Sequence, residues 1–134
     1  MSVNEGEVYF CIYGDNFDPD SASEYIGIQA TRTMKKGTPT PKINTWEYSS
    51  GKVVAEVVDI YDMSSALVAR LEPRAKAIAG FIKKHNLEAV LEVVLRITMD
   101  VTKSTPAVGF DNKTLSFLCS VGATIDVDTY RNES

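Results

Sequence analysis

The chain has 134 residues, 44% of them hydrophobic, which fits one domain (1–134) and excludes a disordered chain. A net charge of −4 argues against wrapping duplex nucleic acid, which is held by neutralising phosphates with Lys and Arg. No apolar run reaches the roughly 18–20 residues of a membrane helix, and the acidic start Met1–Glu7 is unlike a signal peptide. A cytoplasmic protein with neither membrane nor nucleic-acid partners is therefore expected, with Cys11 and Cys119 as two buried, unbridged thiols.

Val8 to Tyr13 is β-branched and aromatic and stops at Gly14-Asp15-Asn16, which predicts a strand and a turn. Val8, Phe10 and Ile12 share one face, and Tyr9, Cys11 and Tyr13 the other, so both faces are expected to be partly covered. Asp18-Pro19 predicts a helix start, with Asp18 as cap and Pro19 where no N–H is needed. Ala22, Tyr25 and Ile26 form its stripe, and Gly27 ends it. The span from Tyr25 to Trp46 carries Arg32, Lys35, Lys36 and Lys42 and no acid. With Thr38-Pro39-Thr40-Pro41 inside it, this reads as a long basic loop.

Ile43 to Ser49 predicts a strand with Trp46 and Tyr48 on one face and Glu47 on the other. Lys52 to Tyr61 fits a strand, the return arm of a hairpin, although the same residues also space as a helix stripe. After Met63-Ser64-Ser65 the pattern is helical, with Pro73 either kinking one helix or opening a second. Ala89, Leu91, Val93, Leu95, Ile97 and Met99 alternate with Glu88, Glu92, Arg96 and Asp100, a strand with one buried and one partly wet face. Ala107 to Phe110 suggests a short strand, and Asp111 or Asn112 caps a helix with the stripe Leu115, Leu118 and Cys119. Ala123 to Tyr130 closes the chain as a strand. These elements predict an α+β fold, a two-layer sandwich with helices on one face of a mostly antiparallel or mixed sheet. A ferredoxin-like arrangement is the leading topology.

The segments FDPD (Phe17–Asp20), Thr31-Arg32-Thr33, Lys36-Gly37, Trp46–Ser50, Leu71-Glu72-Pro73, Thr105-Pro106 and Gly122–Tyr130 occur in an order that resembles one family. It is the uncharacterised, largely bacterial family catalogued as domain of unknown function 4279 (DUF4279). The resemblance spans nearly the whole chain. It implies a small α+β domain, and no activity, cofactor or catalytic residue. Residues 52–62 look longer and more apolar than the family pattern.

Three constellations are candidates for chemistry. Arg32 and Lys36, with Trp46 and Tyr48 after them, would suit an anion or a carboxylate-bearing partner as ligand-binding residues. The competing reading is a solvated loop with Trp46 in the core. Asp126 and Asp128, two apart on a strand, project from one face. They would suit a hard cation if other oxygens converged on them, and a salt bridge to the basic loop otherwise. His85, beside Lys83 and Lys84 at a helix end, fits the helix dipole better than base catalysis, and no base stands near Cys11. No catalytic set, metal site or cofactor is therefore assigned. The reading favoured is a non-catalytic protein-binding domain of accessory or immunity type. A small-molecule or anion-binding regulator comes second and a metal-dependent enzyme last. A homodimer formed through the outer face of the Glu88–Asp100 strand, around Val90 and Val94, is a further expectation.

Overall fold

The computed structural model describes residues 2–37 and 39–133, so Met1 of the acidic start and Thr38 of the Thr38–Pro41 stretch lie outside them. The elements in chain order are β1 (Asn4–Gly14), α1 (Pro19–Ile26), β2 (Arg32–Met34), β3 (Asn44–Ser49) and β4 (Val53–Ala55). They continue with α2 (Ile60–Leu71), α3 (Ala75–His85), β5 (Glu88–Thr98), α4 (Asn112–Val121) and β6 (Thr124–Asn132). The sheet order is β2-β3-β1-β5-β6, with β4 also paired to β1. β1 is antiparallel to β3, β4 and β5, and β6 is parallel to β5, so the sheet is mixed. β1, β2, β3 and β5, with α1 and α2–α3 as crossovers, have the order and connectivity of a ferredoxin-like core. β4 and the α4–β6 unit extend it.

Local chemistry places the helix ends where the residues predict them. Asp18 accepts from the Asp20 N–H, and Gly27 closes α1 in the left-handed region at φ 81°. Asp111 caps α4 by accepting from Thr114 N–H, and Gly122 ends it at φ 72°. Pro73 falls in a short 3₁₀ turn, Glu72–Arg74, that separates α2 from α3, so two helices form.

Several local expectations change. The return arm does not form between Lys52 and Tyr61. Only Val53–Ala55 is a strand, and it runs on beyond β3 along the same edge of β1. Asp59 caps α2 by accepting from Asp62 N–H, so the helix starts before Met63. Arg32–Met34, read as loop, pairs with β3. Ala107 makes an isolated bridge to Asp59 in place of a strand. On α4 the buried face is Thr114, Phe117, Leu118 and Val121, which leaves Leu115 and Cys119 exposed. Tyr25 of α1 is half-exposed, with one side of its ring against Phe81 of α3 at 5.4 Å.

The core lies between the sheet and the helices. Val8, Phe10 and Ile12 of β1, Leu91, Val93 and Leu95 of β5 and Trp46 of β3 are buried there with Ile26, Leu71, Ile78 and Phe117 from the helices. The opposite sheet face, expected to be partly covered, has no described helix or strand against it. Cys11 is nevertheless 7% exposed, because neighbouring side chains on the same face crowd over it.

Candidate functional site

Strand register determines what the uncovered face presents, because directly paired residues point to the same side. One row crosses the sheet as Ser49, Tyr9, Glu92 and Asp126. The next is Arg32, Glu47, Cys11, Val90 and Thr124. On the other side of the first row stand Glu7, Val94 and Asp128, and then Glu5, Arg96 and Tyr130. The face is thus rich in carboxylates, with tyrosines between them.

The cations on this face are committed to particular partners. Arg32 donates through Nε to Glu47 Oε1 at 3.0 Å and through a second nitrogen to the same oxygen. This fork closes over Glu47, which is buried. Arg96 and Lys52 both approach Glu5, at 3.4 and 3.6 Å. Glu7 accepts from Ser49 Oγ at 2.6 Å. At the β5–β6 side the pattern breaks. Oxygens of Glu92, Asp126 and Asp128 lie within 4.8 Å of one another, and no described cation forms an ion pair with any of them.

Glu92 is 8% exposed, and its polar surroundings are these two carboxylates together with Tyr9 and Cys11. Burial, followed by proton sharing with Asp128 and Asp126 and their negative charge, pushes its pKa up to about 8. Near neutral pH the cluster therefore holds a proton that free carboxylates would have released. Burial and the charges of Glu47 and Glu92 also raise the Cys11 thiol and the Tyr9 phenol to about 12 each. Cys11 is consequently a poor nucleophile at neutral pH.

A family model described as "Domain of unknown function (DUF4279)" matches residues 4–132. The chain belongs to this family. No curated protein and no solved structure matches it significantly. Membership brings an α+β domain without an assigned chemistry, so the site of this DUF4279 member has to be read from its own residues.

Of the four residues expected to form one ligand site, Trp46 and Tyr48 meet, while Arg32 and Lys36 pair with acids elsewhere. Arg32 lies on the uncovered face over Glu47. Trp46 lies on the helix side, fully buried, donating from Nε1 to Ser23 Oγ at 2.9 Å. Tyr48 stacks on Trp46 from the same side, with ring centroids 6.5 Å apart. Lys36 approaches Asp15 at 3.7 Å, and Lys35 approaches Asp20 at 3.1 Å. The bridge from Asp126 or Asp128 to the basic loop does not form either, since β2 and β6 are opposite edges of the sheet. Asp126 and Asp128 instead meet Glu92. The alternation of β5 places Glu92 on the wet face, but only the β5–β6 register, invisible in one strand alone, brings the three together. His85 packs its ring on Phe81 at 4.5 Å, in the helix layer away from this face.

Proposed function

We propose that this DUF4279 member is a non-catalytic binding domain whose uncovered sheet face receives a basic part of another protein. The observation that carries this reading is the Glu92–Asp126–Asp128 set, which no described cation neutralises, on a face that no described element covers. Bringing a lysine or arginine to these carboxylates would relieve their mutual repulsion. The tyrosines beside them add flat, rigid contact area. An accessory or immunity-type role in a bacterial cytoplasm, masking a basic partner such as a toxin, fits the net charge of −4. Free thiols at Cys11 and Cys119 suit a reducing compartment. No described helix is long and apolar enough to cross a membrane. Self-association over the half-buried Val90 and Val94 would use the same face, as a rival occupant.

The anion-binding reading loses support, because Arg32, Lys35 and Lys36 already face acids. A second reading has one observation in its favour. Three converging carboxylates can offer oxygen ligands to a hard divalent cation once Glu92 gives up its proton. A melting-temperature rise with Mg²⁺ or Ca²⁺ would favour that reading.

The protein-binding reading is tested by titrating isotope-labelled protein with hexa-arginine and mapping the perturbed amides. Changes should centre on Tyr9, Glu92, Asp126 and Asp128 and fade with added salt. Changes confined to the helix layer, or none at all, would remove the reading.

A further inference from the structure

β6 ends the sheet, and its outer edge has no partner strand among the described residues. It is nine residues long, whereas β2 at the opposite edge has three. Proteins commonly blunt exposed edges with short strands, prolines, bulges or charged side chains, lysine above all. β6 carries no proline and no lysine, and its register with β5 runs unbroken from Thr124 to Asn132, which leaves no bulge. Its charges are Arg131 near its end and the carboxylates Asp126 and Asp128, which oppose an acidic neighbour but not a basic one.

The two faces of β6 differ sharply. On the helix side Ile125 and Val127 pair with Leu91 and Val93, which are fully buried, yet they are themselves 36% and 40% exposed. The helix layer stops short of the edge strand. On the other side stand Asp126 and Asp128, gathered with the buried Glu92 and lacking a described cation. The strand then runs into a groove of about 520 Å³ lined by Ile97, Met99, Val101, Tyr130 and Arg131 among others.

We propose that β6 accepts an extended segment of a partner protein, adding a strand whose side chains alternate between basic and apolar. Main-chain hydrogen bonds would attach it to the free edge, and alternate side chains would read the two faces. Its apolar residues cover Ile125 and Val127, while its lysines or arginines stand beside Asp126 and Asp128. This rests on the reading that the carboxylate side of the sheet receives a basic protein, and adds how it is held. Charge argues against a second copy as the occupant. Two β6 strands paired antiparallel about Val127 would set Asp126 of one copy opposite Asp128 of the other, and like charges directly opposed are unfavourable.

The test uses two blocked ten-residue peptides, one alternating lysine with valine and one alternating glutamate with valine. Binding and amide hydrogen exchange are followed on the intact chain. The lysine peptide should bind at least tenfold tighter and slow exchange at the outward amides of β6. The D126N/D128N double variant, checked for an unchanged fold by its thermal melt, should bind it at least tenfold more weakly. Lysine-peptide binding without new protection in β6 overturns strand addition and leaves the face reading standing. Equal binding of both peptides, or none, overturns both. A dimer of the free protein whose β6 protection disappears on dilution overturns the proposal in favour of self-pairing.

Discussion

At the scale of single residues, Glu92 decides how the carboxylate set behaves with pH. Its pKa rises from an ordinary 4.5 to about 8 on folding, first through burial and then through Asp128 and Asp126. The folded chain therefore holds this proton more tightly than the unfolded chain does. Stability from this group is fully present below about pH 4.5 and is lost as pH rises through about 8. E92Q keeps an N–H donor toward the two aspartates but has no proton to lose. Its melting temperature should exceed that of the parent at pH 8 by roughly 4 °C, about 1 kcal/mol for a domain of this size, with a flatter slope between pH 5 and 8. Parallel melting curves for the two proteins would show that Glu92 is an ordinary carboxylate. The sequence already indicated that Asp126 and Asp128 share a face. Glu92 could be placed on a wet face but not beside them, because strand neighbours and register are long-range properties. Asn4 was equally illegible. It is a polar residue in an acidic leader, yet it is fully buried, donating to the Glu56 and Ser104 carbonyls and accepting from Thr98 N–H.

At the scale of elements, Trp46 ties β3 to α1. The indole fills the space under the helix, and Nε1–H is satisfied by Ser23 Oγ. W46F should lose roughly 2–3 kcal/mol, from the volume removed and from the lost indole hydrogen bond. S23A should lose about 1 kcal/mol, because it leaves a buried N–H unpaired. Urea midpoints should fall in that order with unchanged slopes. Equal midpoints for W46F and the parent would mean that Trp46 anchors nothing. Elements that carry their own boundary chemistry were legible, as Asp18-Pro19, Gly27, Asp111 and Gly122 show. The stretch from Lys52 to Tyr61 was not. Its valines satisfy both periods, and the outcome depends on Asp59 capping α2 and on Asn4 holding the Glu56 carbonyl. The short strand Arg32–Met34 was hidden among the cations of a proline-containing loop. It pairs because Glu47 on β3 offers Arg32 a buried carboxylate.

At the scale of the whole molecule, the sheet is unevenly secured. β1 is paired along both edges, with β5 on one side and with β3 followed by β4 on the other. β5 is held between β1 and β6, and the helices cover the buried side of both β1 and β5. β2 and β4 are three residues each. Local opening follows such differences, since short peripheral strands can detach while the centre stays intact. Amides of β1 and β5 should therefore exchange only through global unfolding, and those of β2 and β4 at least about a hundredfold faster. β6 should divide, with the amides facing β5 protected and those on its outer edge exchanging rapidly in the free protein. That division follows from the parallel β5–β6 ladder on one side and, over residues 124–131, an edge with no partner strand among the described residues on the other. Exchange resolved residue by residue along Thr124–Asn132 checks it. Uniformly slow exchange across β6 in a monomer would mean that its outer amides are already satisfied, and that the sheet has no free edge there to extend.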